Sequence, residues 1–156
     1  MSFTIAITAP SLEKMPGVLQ RFREGIMARF SQMQDDIGQK VVSRAVDGYL
    51  SGPRPGKLGR VTGALAGSIK YRKTTRGVEI GTNLPYAPVH EYGAIIRAKN
   101  VPFLRFMTRD KKWHSVKEVR IPKRPFLGPA LNDSKESIFN IVMKHAEAAL
   151  RDANNG

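Results

Sequence analysis

The stretch SGPRPGKLGRVTGALAGS, residues 51–68, holds five glycines and three basic residues and is the part of the chain most similar to a phosphate-binding loop. Such a loop requires GxxxxGK followed by Ser or Thr, because the backbone amides must wrap the phosphates while the hydroxyl binds magnesium. Here Gly52 and Gly56 enclose three residues, and Leu58 stands at the hydroxyl position. A helical pattern rather than a strand precedes the stretch. We therefore do not predict nucleotide binding.

Other constellations that support catalysis are incomplete. His90 and Glu91 begin like HExxH, but Ala94 stands where the second histidine ligand is required. Both are therefore interpreted as polar residues of a short helix at an interface or at the surface. The nucleophile elbow GxSxG does not occur, and Ser68 has no evident base. The chain has 13 acidic residues without a repeated carboxylate cluster, and it has no cysteine. The sequence predicts no enzyme, no cofactor and no metal site.

The positive charge is concentrated in the middle of the chain. Of the formal net charge of +13, residues 51–124 carry seventeen Lys and Arg against four acidic residues, while both flanking segments are nearly balanced. Such a block indicates a surface for an acidic partner, either nucleic acid or an acidic protein. A basic face that serves only solubility remains the alternative.

The periodicity predicts the α+β class: a long N-terminal helix, a small antiparallel sheet of hairpins and a C-terminal helix. The first helix is predicted over 17–50 from a stripe at helical spacing, formed by Leu19, Phe22, Ile26, Phe30, Met33, Ile37 and Val41. At 1.5 Å per residue it would extend roughly 45 to 50 Å, longer than a compact domain of this size needs. We expect part of it to pack on another subunit or to kink near Gly38.

The remaining elements follow from turn and strand signals within a single domain, 1–156. A Pro/Gly-rich basic loop occupies 51–60 and is followed by a sheet region over 61–124. Within that region we predict a helical turn capped by Thr62, a hairpin turning at Arg76 and Gly77, and a short helix ending at Gly93.

A second strand pair is predicted between 95–99 and 103–108, followed by a charged turn at 109–112 and a strand over 113–121. The C-terminal helix is placed at 126–151, starting near Pro129. His114 and His145 are interpreted as packing residues. The N-terminus lacks the features of a signal peptide, and no apolar run approaches bilayer length, so we expect a soluble protein made in the cytosol, without membrane contact.

Three segments, RVTGALAGSIKYR (60–72), IGTNLPYAPVHEYGA (80–94) and IPKRPFLGPAL (121–131), resemble the virion morphogenesis, or tail completion, family of Mu-like bacteriophages. The family pattern is Arg-x-Thr-Gly-x-Leu-x-x-Ser, then Gly-Thr leading into Tyr-Ala and Glu-aromatic-Gly, then Pro-x-Arg-Pro-Phe before a final helix. The matching positions are Arg60, Thr62, Gly63, Leu65, Ser68, Gly81, Thr82, Tyr86, Ala87, Glu91, Tyr92, Gly93, Pro122, Arg124, Pro125 and Phe126.

This resemblance implies a structural role, without catalysis, in tail completion or head-tail joining at the head-proximal end of a phage tail or neck. It implies a homo-oligomeric ring, a hexamer, around the DNA channel, in contact with other tail and neck proteins and non-specifically with genomic DNA. It places the protein in the virion after synthesis in the bacterial host cytoplasm.

The alternative is a basic nucleic-acid-binding accessory protein. Aromatic residues are interleaved with Lys and Arg on predicted strands and would supply stacking platforms: Tyr71, Tyr86, Tyr92, Phe103, Phe106 and Trp113. Strand alternation equally allows the aromatics to face the core and the bases to face solvent.

Two sets of residues carry the site hypotheses. The first set is predicted to face DNA or an acidic ring, with three members in the basic loop and three at a hairpin tip: Arg54, Lys57, Arg60, Arg109, Lys111 and Lys112. The second closes the fold: Phe126 inserts between the final helix and the sheet after the stiff Pro125, and Arg124 pairs with Glu91.

Overall fold

The computed structural model describes residues 1–6, 17–51, 58–59, 62–108 and 110–155. Its elements in chain order are β1 (Ser2–Ala6), α1 (Val18–Ala45), a π-helical turn (Val46–Leu50), α2 (Ala64–Ser68), β2 (Lys70–Thr74), β3 (Gly77–Gly81), α3 (Ala87–Tyr92), β4 (Ala94–Arg97), β5 (Leu104–Met107), β6 (Trp113–Val116), β7 (Glu118–Ile121) and α4 (Leu127–Asn155). This is an α+β fold with two long helices and small antiparallel sheets, which confirms the predicted class.

The two long helices lie antiparallel along each other. Near one end the Arg21 Nε donates to the Ala153 carbonyl at 2.9 Å, and near the other the Arg44 guanidinium binds Asp133 at 2.6 Å. A Cβ atom on Gly25 would stand 3.1 Å from the Cβ of Ala149, so this glycine lets the backbones approach closely. The prediction of a long first helix is confirmed. Its excess length is matched by the 29 residues of α4, so helix length no longer argues for a second subunit.

The predicted apolar stripe of α1 is buried unevenly. Met33, Ile37 and Val41, in the second half, are buried, whereas Leu19 near the start is 40% exposed. The difference arises because the sheet packs on the second half of the helix. On the α4 side, the buried His145 bonds Asp36 at 2.9 Å, and this hydrogen bond lowers the pKa of the Asp36 carboxyl. His145 is thus a packing residue, as predicted.

The three-stranded sheet has the order β1-β3-β2, with all pairs antiparallel. The β2-β3 hairpin is confirmed, but Thr75 and Arg76 form its turn, while Gly77 (φ 151°) is the first residue of β3 and pairs with Thr74. Strand β1 was not predicted. It pairs with β3 from Ser2↔Gly81 onward, and a Cβ on Gly81 would come within 2.4 Å of the Met1 carbonyl oxygen.

Side-chain contacts, among them those of Gln34 and Tyr71, attach the β2-β3 hairpin to α1. The buried Gln34 amide donates to the carbonyls of Thr74 at 2.6 Å and Gly77 at 2.8 Å, and so satisfies backbone groups at the turn. The Tyr71 ring lies over Gly38, and its hydroxyl donates to Asp35 at 3.2 Å. The absence of a side chain at Gly38 therefore lets the Tyr71 ring pack directly on the backbone of a continuous helix.

The second predicted strand pair is wrong. β4 pairs with β7 (Ala94↔Ile121 to Arg97↔Glu118), and β5 pairs with β6 (Leu104↔Val116 to Met107↔Trp113). Residues 94–121 therefore form one long, interrupted hairpin, here called the hairpin arm, which turns at residues 108–112. Residues 98–103 are an insertion opposite Lys117, because Arg97 pairs with Glu118 and Leu104 pairs with Val116. At its start the Ala98 amide donates to the Lys117 carbonyl at 3.0 Å.

Replacement of Gly38 by alanine tests the packing of the β2-β3 hairpin on α1. The added Cβ would lie 2.4 Å from the Tyr71 ring, so ring and hairpin must shift, and we expect a loss of about 1 to 3 kcal/mol of unfolding free energy. Gly67→Ala is the matched control, because a Cβ there meets nothing within 4 Å. Urea unfolding measures both variants. Equal stability of Gly38→Ala and the parent chain would contradict the packing of Tyr71 on this glycine.

Candidate assembly surfaces

The segment joining the hairpin arm to α4 is held by one buried carboxylate. Glu91, 2% exposed and near the end of α3, accepts hydrogen bonds from the backbone amides of Phe126 (2.7 Å), Leu127 (3.1 Å) and Gly128 (2.9 Å). Amides at a helix start have no intrahelical acceptor and carry the positive end of the helix dipole. A carboxylate at this place supplies the missing acceptors and carries the favourable charge, so Glu91 caps α4. The predicted location of Glu91 at an interface or at the surface is therefore wrong, because its side chain is buried within the chain.

The expected ion pair between Arg124 and Glu91 is wrong. The carboxylate oxygens are used by three backbone amides inside the protein, whereas the Arg124 side chain is exposed. The two segments nevertheless meet through the backbone, since the Arg124 amide donates to the His90 carbonyl at 2.8 Å.

Two glycines make this capping geometry possible. Gly93 ends α3 with φ 76°, and a Cβ there would lie 3.1 Å from the Lys123 backbone nitrogen. A Cβ on Gly128 would stand 3.1 Å from the Glu91 Oε1. At both positions the neighbouring atoms leave no room for a side chain, so a residue larger than glycine would disturb the cap.

The burial predicted for Phe126 is confirmed. Its side chain is 0% exposed and belongs to the main core together with Leu127 and Ala130. The half-buried Pro125 precedes it. Helix α4 begins at Leu127, one residue from the predicted bound at 126 and two residues before Pro129, because the Glu91 carboxylate accepts from the amides of residues 126–128.

The other motif residues support the loop around α2. The Thr62 hydroxyl accepts from the Ala64 amide at 3.3 Å, and Gly63 (φ 79°) occupies the N-cap position that we predicted for Thr62. The Ser68 hydroxyl bonds the Thr82 hydroxyl at 2.7 Å and thus links α2 to the end of β3. Of the other motif residues, Tyr92 is exposed at the last position of α3, and Arg60 lies outside the described residues.

An open cavity of about 370 Å³ brings parts of all three motifs together. Thr62 and Gly63 line it from one segment, Tyr86 and His90 from the second, and Arg124 from the third. Burial, with a smaller contribution from the Arg124 charge, lowers the pKa of His90, while the Tyr86 ring meets the imidazole edge-on with centroids 6.0 Å apart. In the described ranges no set of three His, Cys, Asp or Glu side chains is placed to hold a metal ion.

The hairpin arm is the most exposed part of the described fold. From residue 92 to 125 no described residue is buried. Its exposed large apolar residues are Ile95 (50%), Ile96 (42%), Val101 (55%), Phe103 (47%), Phe106 (36%), Met107 (55%) and Trp113 (68%). Of the two alternatives for the aromatic residues, the one in which they face a core is therefore wrong for Phe103, Phe106 and Trp113. Sequence alternation did not reveal this, because an exposed ribbon and a half-buried strand share the same period.

The register divides the outer part of the arm into two faces. Phe106 and His114 lie opposite each other and stack with ring centroids 5.7 Å apart, so His114 packs only on the arm surface. The other face, here called the tip face, consists of Arg105, Met107, Trp113 and Ser115. On it the Arg105 guanidinium lies 6.0 Å from the Trp113 ring centroid.

The arm also carries much of the basic block. Residues 94–121 contain eight Lys and Arg against two acidic residues. Glu118 is shared by Arg120 at 2.8 Å and Arg97 at 2.9 Å, and these hydrogen bonds lower the pKa of its carboxyl. The predicted tip residues Lys111 and Lys112 are exposed, and Lys112 makes only a loose pair with Asp110, at 3.9 Å. The predicted Arg54, Lys57 and Arg109 lie outside the described residues.

The geometry therefore consists of a capped joint, a motif-lined cavity and an exposed basic arm. The profile of the phage virion morphogenesis family matches residues 21–147. The chain belongs to this family, and its role lies in building the phage particle. No curated protein and no solved structure matches it. None of the helices in the described part of the chain has the length and hydrophobicity that crossing a membrane requires.

Removal of the Glu91 carboxylate tests the capped joint. Glu91→Ala leaves three backbone amides without their acceptor, and we expect a loss of roughly 2 to 4 kcal/mol of unfolding free energy. The exposed Glu147→Ala is the control and should change stability by less than about 0.5 kcal/mol. Chemical denaturation followed by circular dichroism measures both. Equal effects of the two variants would rule out the cap.

Proposed function

We propose that this protein is a structural component of the phage tail or neck that completes the tail or joins it to the head, as a ring around the DNA channel. Membership of the virion morphogenesis family supports the general role. The finer assignment is supported by the hairpin arm, whose composition and exposure suit a surface that becomes covered in a larger assembly.

The apolar side chains exposed on the arm support a role in assembly. An isolated two-stranded ribbon is marginally stable in water, and large exposed apolar patches mark interaction sites. Both strands of the arm expose large apolar side chains, with Met107 at 55% and Trp113 at 68%. Neighbouring subunits or adjoining tail proteins would remove this surface from water.

The charge of the chain suits a position at a DNA channel. The net charge of +13 attracts phosphate without reading sequence, and DNA that passes through a ring requires this kind of weak contact. The same basic residues would also bind an acidic ring of tail subunits. A contact with DNA weakens steeply with salt according to the number of phosphates neutralised, which gives the two partners different signatures.

Location and ring formation are tested directly. Purified virions of the phage or prophage that encodes the chain are analysed by mass spectrometry, and their necks and tails are imaged by electron microscopy. We expect a fixed number of copies per virion, six if the ring follows the sixfold tail. A protein that is absent from virions and monomeric in native mass spectrometry at all concentrations would overturn the proposal.

Charge reversal at the arm tip separates assembly from folding. Lys111→Glu with Lys112→Glu changes exposed side chains, so we expect a melting temperature within about 1 °C of the parent and loss of infectious particles in a complementation assay. Phe126→Ala is the folding comparison and should lower stability by roughly 3 to 5 kcal/mol, since its side chain is fully buried.

Lys40→Glu, at an exposed site on α1, is the charge control and should leave the titre unchanged. Wild-type titre from the double tip variant would show that the arm tip does not contribute to assembly.

A second candidate function, binding of nucleic acid as an accessory protein, is favoured by one observation. Trp113 is 68% exposed beside Arg105, and an exposed aromatic ring next to a cation is suited to stack on a base. In this function the free chain would act without a ring.

The two functions differ in the salt dependence of DNA binding by the free protein. The accessory function predicts a log-log slope of several units between affinity and salt concentration, because each neutralised phosphate releases counterions. It also predicts strong quenching of Trp113 fluorescence by single-stranded DNA. A slope near zero or one, with little quenching, would contradict it. Fluorescence titration with oligonucleotides at four salt concentrations measures both quantities.

A further inference from the structure

We infer that the tip face of the hairpin arm docks on the outer face of α4 in a second copy of this chain. The inference deepens the proposed function, since it names the contact between neighbouring subunits of the ring. The surface offered is the tip face defined above. The receiving surface, here called the α4 stripe, consists of Glu136, Phe139, Met143, Glu147 and Leu150.

The α4 stripe is an apolar row on the side of the helix that faces away from the core. Phe139, Met143 and Leu150 are 63%, 40% and 46% exposed, and their steps of four and seven residues place them on one line. The opposite side of the helix is filled, because Ser134, His145 and Ala149 are buried there. The high exposure of the stripe means that no described part of the same chain covers it.

Charge complementarity selects this stripe as the partner of the arm. Most acidic residues in the described ranges are engaged in ion pairs or, for Glu91, in the cap. Glu136 and Glu147 are exposed, make no ion pair among the described residues and border the apolar row. On the arm, Arg105 likewise has no described ion pair and lies beside exposed apolar side chains.

The other exposed apolar group on the helices fits less well. Val18, Leu19 and Met27 on α1 are 39%, 40% and 56% exposed. Arg21 and Arg23 lie among them and outnumber Glu24, so this part of α1 carries the same sign of charge as the arm. Like charges across an interface are unfavourable. Lys135, Lys144 and Arg151 are also exposed on α4, but they lie about a quarter turn around the helix from the stripe, whose own line carries the two glutamates. The α4 stripe is therefore the complementary surface.

The tip face is short enough to lie within the length of the α4 stripe. The stripe runs from residue 136 to residue 150 and extends about 21 Å along the helix. β5 and β6 each have four residues, about 13 Å, so both strands of the tip face fit within this span. Met107 and Trp113 would thus lie on Phe139 and Met143 while Arg105 meets a glutamate at the edge.

This contact has a consequence for symmetry. The arm and the α4 stripe are different patches of one molecule, so each copy offers one and receives the other. Such a heterologous contact propagates from copy to copy and closes into a ring when the rotation between copies permits it.

Site-directed crosslinking tests the contact, because the chain has no cysteine of its own. A Ser115→Cys chain and an Asn140→Cys chain of different mass are mixed, assembled and oxidised. Ser115 belongs to the tip face, and Asn140 is exposed beside the stripe, so we expect a disulfide between the two different chains. Ser115→Cys mixed with Gln39→Cys, an exposed site on α1, is the matched control and should crosslink at background level.

Charge reversal then tests specificity. Glu136→Lys with Glu147→Lys should lower the crosslink yield about tenfold, and Arg105→Glu in the arm chain should restore a large part of it. The only tryptophan of the chain, Trp113, reports independently, since its exposed ring should shift its emission to shorter wavelength when subunits associate. Each variant is first shown to melt like its parent.

The outcomes separate this inference from the proposed function. Rings or virions that contain the protein but give no Ser115–Asn140 crosslink overturn the arm-to-α4 contact and leave the proposed function standing. Quenching of Trp113 by duplex DNA in place of the crosslink also overturns it, because the arm is then a DNA contact. The specific crosslink, its loss on charge reversal and its recovery in the compensated pair support it.

Discussion

The fold depends on the acceptance of three backbone hydrogen bonds by the Glu91 carboxylate at the start of α4. A buried carboxylate is unfavourable unless it is fully hydrogen-bonded, and the first amides of a helix are unfavourable unless they find an acceptor. The carboxylate therefore supplies the acceptor that the amides lack, and the amides supply the hydrogen bonds that the buried carboxylate requires. Phe126 enters the core at the same place, so the cap and the packing stabilise one joint.

The position of this joint determines how the hairpin arm leaves the body. The arm begins directly after Gly93, which caps α3, and ends shortly before Arg124, whose amide donates to the His90 carbonyl. Both ends of the arm are thus fixed within a few residues of the Glu91 cap. A ribbon with exposed faces is marginal by itself, and a fixed root gives it a defined direction even though little else in the described fold packs on it.

The two long helices and the sheet packed on them, here called the body, differ from the arm in how charges and apolar side chains are placed. Its two long helices bury their common face and join several of their charges in pairs, such as Arg44 with Asp133. What remains on the outside is an apolar row on α4 with two unpaired glutamates, while the arm retains unpaired cations beside exposed Met and Trp side chains. The molecule therefore carries two complementary surfaces that a single copy does not bring together, which is the physical basis for the proposed contact between copies.

The sequence by itself determined the elements whose signals are local. The apolar stripe predicted α1, turn residues predicted the β2-β3 hairpin and the end of α3 at Gly93, and the concentration of charge predicted a basic middle segment. Three motifs in their order indicated the family. These features need only helical or strand periodicity, backbone preferences or composition, all of which act within a few residues.

The tertiary structure decided what depends on distant partners. Strand β1 exists because β3 offers an edge, β4 pairs with β7 across more than twenty residues, and Glu91 binds amides rather than Arg124 because burial places it at a helix start. The exposure of Phe106 and Trp113 could not be predicted from the sequence either, because it depends on whether a distant part of the chain packs on them. An apolar residue on a strand has the same pattern whether its neighbour is a core or solvent, and only the three-dimensional arrangement places the arm outside the body.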